Sequence, residues 1–253
     1  MISVVVCSRD SEGLPAHRRT ISGTIGAPFE YIQIDNSDGS RGLSAAYNEG
    51  VRRAGGDTLV FVHDDVMMME AGWGLALQGK FAADERLGLV GVAGGQYLFA
   101  GTRPGWVAAG RPFIHGKVLH EKDGRFLLTV YSRDRGDVEV VAVDGLFFAV
   151  RASLFERVSF DENTFDGFHF YDLDIAMQVR KTHRVVVTDD IMVRHRSGGS
   201  FDGIWRGYAD RFFDKYRGEL PARCVDASPD PAHIIPFETF DVTERLTRGP
   251  SGR

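Results

Sequence analysis

Within its first 65 residues the chain three times runs an apolar, β-branched segment straight into a polar cluster. Ile2 to Cys7 ends in Ser8, Arg9 and Asp10; Tyr31 to Ile34 ends in Asp35, Asn36, Ser37, Asp38 and Gly39; Thr58 to Val62 ends in His63, Asp64 and Asp65. Short apolar runs without alternation mark strands buried on both faces, the condition of a parallel sheet covered by helices. Between the second and third runs, Leu43, Tyr47, Val51 and Ala54 fall at spacings of four, four and three, the stripe of an amphipathic helix, and Gly55 and Gly56 stop it. The pattern predicts a βαβ-type sheet with its polar tips on one edge. In open parallel sheets ligands bind at that edge, outside the carboxyl ends of the strands.

The rest of the chain extends this plan. Trp73 to Phe81 predicts a helix and Leu87 to Ala93 a strand ending at Gly94 and Gly95. From Gln96 to Asp137 turn residues, Trp106, His115 and His120 appear without a period, which predicts an excursion of loops and short hairpin strands. Val138 to Val143 and Leu146 to Val150 read as strands parted by Asp144 and Gly145, followed by a helix opened by Ser153. The aromatic and glycine-rich stretch Asn163 to Tyr171 feeds a helix from Asp172 to Lys181, with Leu173, Ala176 and Met177 inward. Two further strands, Arg184 to Thr188 and Ile191 to Arg194, end at His195 and the loop Arg196, Ser197, Gly198, Gly199. A helix from Ile204 to Tyr216 closes a single domain over 1–220, and 221–253 is expected to be an irregular tail.

Composition narrows the function classes. A chain of 253 residues, 43% hydrophobic and 26% charged, is that of a globular protein and excludes a disordered, collagenous or coiled-coil chain. Thirty basic against 35 acidic residues leave a net charge of -5 with no basic run, so no nucleic-acid partner is expected. Cys7 and Cys224 have no metal-site spacing and signal no disulfide framework, which fits a reducing compartment. The longest uncharged stretch, Leu87 to Thr102, is short and rich in glycine, so no transmembrane segment is expected. The first residues lack the basic region of a secretory signal. The expectation is a soluble cytoplasmic protein, with peripheral association at the inner membrane face left open.

Chemistry gathers at the polar tips. Two adjacent carboxylates, Asp64 and Asp65, at the end of a buried strand raise each other's pKa unless solvent or a cation neutralises them. Mg²⁺ or Mn²⁺ prefers oxygen ligands and keeps positions open for phosphate oxygens, so the pair suits a metal–diphosphate site; a solvated turn is the plainer account. His195 can add an imidazole if its strand end lies beside Asp65. Asp172 opens a helix, where the plain role is an N-cap. Asp174 lies about 200° further round that helix, so the two cannot face one substrate atom and one must be structural.

In this order the motifs resemble a GT-A glycosyltransferase of the family 2 type over about Ile2 to Ser200. The resemblance implies an α/β fold with a mixed, mainly parallel Rossmann-like sheet, and a sugar donor activated by a nucleoside diphosphate. It implies that Cys7, Ser8 and Arg9 in the first loop border the nucleotide and that Asp35 contacts base or ribose. Leu43 to Gly50 is similar to the family's small-residue helix with an Ala-x-x-Asn signature, which makes Asn48 a donor-side residue. The Asp-x-Asp metal motif falls on His63-Asp64-Asp65: the last aspartate matches, the first position is histidine, and the resemblance gives Asp65 the metal and pyrophosphate role, with Asp64 a donor-binding residue beside it. The Glu-Asp-x-Asp motif falls on Tyr171-Asp172-Leu173-Asp174, so Asp172 matches the general base while Tyr171 stands where the glutamate would be. His195 matches the late histidine that completes metal coordination.

Together these predict a metal-dependent, inverting glycosyltransferase using Mn²⁺ or Mg²⁺. The acceptor is a glycan, a lipid-linked molecule or another hydroxyl compound, and Trp106, Phe168 and Tyr171 are offered as apolar faces for it. An inverting transfer needs a carboxylate for the acceptor proton and positive charge at the departing diphosphate, and Asp172 and Asp65 divide that labour. Two alternatives stand beside it: a non-catalytic sugar-nucleotide or glycan-binding module of the same fold, and a metal-dependent phosphohydrolase or nucleotidyltransferase. Nucleotide base, sugar, acceptor and oligomeric state are not encoded in the motifs.

Overall fold

The structure is a computed structural model that describes residues 1–10, 12–101, 105–197 and 202–247. Its main sheet has seven strands in the order Val138–Glu139, Arg184–Val187, Leu87–Gly91, Phe147–Arg151, Thr58–Val62, Ile2–Ser8, Phe29–Asp35. Ile2–Ser8 pairs in parallel with both Phe29–Asp35 and Thr58–Val62, while Phe147–Arg151 runs antiparallel between Thr58–Val62 and Leu87–Gly91. Ser8 lies opposite Asp35 in register, and the chain leaves Val62 directly into His63, so the three polar tips share one edge.

The central strands bury both faces, which explains their continuous apolar runs. Val4, Val6, Val60 and Val62 face one core, with Leu14 and Ile21 of helix Leu14–Thr24 and Trp73 and Leu77 of helix Trp73–Ala83. Val5, Cys7, Leu59 and Phe61 face the other, with Ala46 and Tyr47 of helix Leu43–Arg53 and Ile175 and Val179 of helix Tyr171–Val179. Each such aliphatic side chain contributes about 1.5–3 kcal/mol by leaving water. Helix Leu43–Arg53 approaches the sheet closely because Gly50 lacks a Cβ, which would collide with Val5.

A second sheet positions the site. Its strands run Ala142–Val143, Ala93–Gly95, Ile114–Lys122, Val193–His195, Val66–Met68, and Arg125–Val130 pairs at the side of Ile114–Lys122. Antiparallel pairing sets His195 opposite Val66, next to Asp65, and parallel pairing sets it opposite His120.

Several elements differ from expectation. The excursion is built round a long hairpin, Ile114–Lys122 with Arg125–Val130. It turns at Asp123 and Gly124, whose φ values of 53° and 74° are what a two-residue hairpin loop demands. The run Val138 to Val143 breaks into two halves that join different sheets, and the strand expected to Ala93 ends at Gly91 for the same reason. A 3₁₀ turn, Ala152–Glu156, replaces the helix after Ser153. Helix Leu14–Thr24 carries a weak signal because a histidine, His17, sits between Leu14 and Ile21 in its buried stripe. The tail, expected to be irregular, carries Ala222–Arg223, paired with Tyr97–Leu98, and Glu238–Asp241, paired with Arg125–Val130. Glu238–Asp241 is a partly exposed edge strand with one apolar residue, Phe240, so it shows no hydrophobic period. Among the described residues no helix is long and apolar enough to cross a membrane. The loop positions Gly198, Gly199 and Ser200 lie outside the described residues.

Candidate active site

Asp65 and His195, 130 positions apart in the chain, meet at the carboxyl edge of the sheet. His195 Nε2 lies 3.3 Å from Asp65 Oδ1 and 2.9 Å from Ser197 Oγ, while its Nδ1 is buried with no hydrogen-bond partner. His63 joins them, and one ligand atom from each of the three lies within 4.8 Å of the others. Burial raises the Asp65 carboxyl, but hydrogen bonds from His195 and Ser197 and the neighbouring imidazoles outweigh it and hold the group well below the usual carboxylate range. Burial and His195 push the His63 imidazole down, so it stays neutral and offers a lone pair. Two imidazoles gathered round an ionised carboxylate are a donor set that fits a divalent cation.

His63 was set aside by sequence reasoning because histidine breaks the acidic motif. The structure holds it through Tyr171, whose hydroxyl lies 2.6 Å from His63 Nε2 and donates to Gly145 O at 3.2 Å. Tyr171 is thereby a strut. It borders the cavity but is 3% exposed and packs edge-on against Tyr47 at 5.5 Å, so little of its ring faces the space expected for an acceptor.

The expected donor-side residues divide into two groups. Ser8 Oγ lies 2.6 Å from Asp64 Oδ2 and accepts the Asp10 amide at 3.0 Å, which ties the first loop to the third tip. Asp35 is exposed at the second tip and accepts the Ser37 amide at 2.9 Å, an interaction that lowers its pKa. The Arg9 guanidinium lies 4.2 Å from the centre of the Phe168 ring. Cys7 and Asn48 belong elsewhere. Strand alternation turns Cys7 away from Ser8 into the core, and burial pushes its thiol up to about 11. Asn48 clamps the Phe160 backbone, with Nδ2 donating to O at 2.8 Å and Oδ1 accepting the amide at 3.1 Å. It borders a separate cavity with Asp161, Gln178 and Lys215.

Beyond the cluster lies a cavity of about 500 Å³, lined by His63, His195, Asp144, Asp172, Trp106 and Phe168 among others. Phe170, at φ 66°, turns the chain into helix Tyr171–Val179, and Asp172 sits in its first turn; the N-cap position is Phe170, so Asp172 is not a cap. Burial pushes the Asp172 carboxyl up to about 7, Asp144 adds to the shift, and the Leu173 and Gly145 amides oppose it. Asp174 points away into the core, with Lys215 Nζ and Tyr216 Oη each at 2.6 Å, and is structural. Trp106 is 4% exposed and stands edge-on to Tyr131 at 4.9 Å, presenting only part of its ring to the cavity. Phe168 is 37% exposed. Sequence reasoning gave no role to Asp144 and Gly145, although their position between two apolar runs was the visible sign. Gly145 must be glycine, since a Cβ there would collide with Tyr171 and come 3.1 Å from Asp172 Oδ2.

Comparison with known proteins agrees with this architecture. Streptomycin biosynthesis protein StrF of Streptomyces griseus is 29% identical over 192 residues, which cover 72% of this chain; the chain spans 63% of StrF. The fold is similar to that of the mannosyltransferase PcManGT from Pyrobaculum calidifontis, solved with GDP-Man and Mn²⁺ (TM-score 0.54, 16% identity, 91% of this chain and 66% of that one). It is also similar to GalNAc-T7, solved with UDP, GalNAc and Mn²⁺ (TM-score 0.54, 12% identity, 78% and 44%). At these identities the structural likeness is one of GT-A fold. The profile of the glycosyltransferase-like family matches residues 3–216, which takes in both sheets up to His195 and every site residue described above, and the chain belongs to that family.

Proposed function

We propose that the chain is a metal-dependent, inverting glycosyltransferase that moves a sugar from a nucleoside diphosphate sugar to an acceptor hydroxyl. The observation that carries this is the placement of a raised carboxyl, Asp172, in the wall of a cavity that His63 and His195 of the cluster also line.

A carboxylate with a pKa near 7 is a far better base than an ordinary one and is still largely ionised just above neutrality. Asp172 takes the acceptor proton as the hydroxyl oxygen forms its bond to the anomeric carbon. The bond from that carbon to the diphosphate oxygen breaks with its electron pair leaving on the diphosphate, so charge and atoms balance. Asp65 and His195, with His63, would hold a divalent cation, which would supply positive charge to the departing diphosphate. Ser8 orients Asp64 on the nucleotide side, and Asp35, exposed at the next tip, can accept a hydrogen bond from ribose or base. Phe168 and the exposed edge of Trp106 cover apolar faces of the acceptor and exclude water that would hydrolyse the donor.

Calorimetry with UDP, GDP, dTDP and CDP, each with and without Mn²⁺, tests the donor side. One nucleotide should bind selectively and depend on the metal; equal affinity with and without it counts against the site. Asp172→Asn should abolish transfer and keep donor affinity, because it removes the base and preserves the shape. Unchanged turnover rejects the assignment.

A further inference from the structure

We infer that the cation site is a two-histidine, one-carboxylate centre, with His63 a ligand in its own right, and that it selects Mn²⁺, Co²⁺ or Zn²⁺ over Mg²⁺. The inference deepens the proposed role of this site, and its measurement needs neither donor nor acceptor.

The donor set decides the metal. Mg²⁺ requires hard oxygen ligands in a near-octahedral shell and binds imidazole poorly, whereas first-row transition ions accept imidazole readily. Among the described residues the cluster is His63, Asp65 and His195, two nitrogens to one carboxylate. Asp64, which would supply a second oxygen, is engaged by Ser8 at 2.6 Å. His120, whose ring lies 5.8 Å from that of His195, is turned to the Ser197 carbonyl and stands outside the cluster.

The outer contacts of the cluster support His63 as a ligand. Metal-binding histidines have their second nitrogen fixed by an outer partner, which sets tautomer and ring direction. Tyr171 is such a partner: with its own proton on Gly145 O, its hydroxyl accepts from His63 Nε2–H and leaves Nδ1 as the lone pair of the ring. His195, 6% exposed, turns Nε2 to Asp65 Oδ1 at 3.3 Å and to Ser197 Oγ at 2.9 Å, which fixes its ring in the same cluster. A single carboxylate also leaves a divalent ion with net positive charge, where a pair of carboxylates would cancel it.

The test uses the metal alone. Titration of metal-free protein with Mn²⁺, Co²⁺, Zn²⁺ and Mg²⁺ by calorimetry should give affinities in the order Zn²⁺, Co²⁺, Mn²⁺, with Mg²⁺ weaker than Mn²⁺ by at least about tenfold. Pulsed electron paramagnetic resonance of the Mn²⁺ form should show nitrogen coupling from two imidazoles, falling to one in His63→Ala. His63→Ala should lose about 10- to 100-fold in Mn²⁺ affinity, and His63→Asp, which restores an oxygen ligand, should narrow the gap between Mn²⁺ and Mg²⁺. Circular dichroism confirms that both variants fold. Mg²⁺ binding as tightly as Mn²⁺ in the wild type, a single nitrogen signal, or unchanged Mn²⁺ affinity in folded His63→Ala overturns the inference, and so does the absence of divalent-ion binding. Selective Mn²⁺ binding without sugar transfer would refute the proposed function and leave the centre standing. Transfer supported equally by Mg²⁺ and Mn²⁺ would do the reverse.

Discussion

Replacing Asp172 by asparagine should stabilise the fold at the same time as it removes transfer, and the stabilisation should depend on pH. Burial first, and the charge of Asp144 second, push the Asp172 carboxyl from 3.8 up to about 7. The folded state therefore holds this proton more tightly than the unfolded chain does. Well below pH 3.8 both states are protonated and the group costs nothing. As pH rises towards 7 the unfolded chain ionises freely while the folded one resists, so stability falls across that window, and above 7 the full cost is present. A shift of about three pH units corresponds to about 4 kcal/mol. Asp172 keeps contact with cavity solvent, which relaxes the penalty, and about 2 kcal/mol is the expected size.

Asparagine has the same outline, retains an oxygen for the opposing amides and has no charge to bury. For a chain of this length about 2 kcal/mol shifts the melting temperature by roughly 4–8 °C. Melting curves of wild type and Asp172→Asn, recorded metal-free from pH 4 to pH 8, should coincide at the acid end and separate progressively, with the variant higher. A difference that does not change with pH, or a variant that melts lower at pH 8, would show that the carboxyl is not strained by its surroundings. Asp172 would then not be a tuned base.

Asp144→Asn removes the second cause of the Asp172 shift, so the acidic limb of the kcat/KM profile should move to lower pH; a limb that stays in place rejects the coupling. Gly145→Ala puts a methyl group into Tyr171 and beside Asp172, and overpacking of this kind costs about 1–3 kcal/mol in a denaturant titration. It should weaken Mn²⁺ binding as well, because Tyr171 can no longer brace His63. Asn48→Ala leaves the Phe160 amide without its partner and takes one of two donors from the Phe160 carbonyl, a loss of about 1–3 kcal/mol, yet donor affinity by calorimetry should not change. A large drop in nucleotide affinity would return Asn48 to the donor site.

The main sheet was legible because burial on both faces leaves a continuous apolar run, and the working edge was legible because each run stops in polar residues. Asp65 and His195 could be paired in advance only through the resemblance, since what joins them is a register between Val193–His195 and Val66–Met68. Those strands have three residues each, too short to show a period. The facing direction of Cys7 was not legible: it and Ser8 are neighbours in sequence, but a strand sends their side chains to opposite sides. Asn48 was visible as a polar residue in a small-residue helix, while its partner Phe160, 112 positions away, was not. His63 and Asp144 owe their importance to charge and enclosure contributed by other segments, which no local pattern records.

The two departures from the family pattern touch each other. Histidine stands at position 63 where an acid would be, tyrosine stands at position 171 where a glutamate would be, and their side chains lie 2.6 Å apart. Residues joined in one network couple energetically, by about 0.5–3 kcal/mol in double-mutant cycles. A histidine ligand needs an outer partner to hold its tautomer, and Tyr171 is braced for that purpose by Gly145. The same residue begins the helix whose next position is Asp172, so the strut of the cation site and the base are consecutive. Mn²⁺ affinity measured for His63→Asp, Tyr171→Glu and the double variant should therefore be non-additive. Tyr171→Glu alone places a second charge beside Asp172 and removes the support of His63, so it should weaken the site most. The double variant, with oxygen ligands in place of the imidazole and its strut, should recover part of that loss. Strict additivity would mean that the two substitutions arose independently and that the contact between them carries no function.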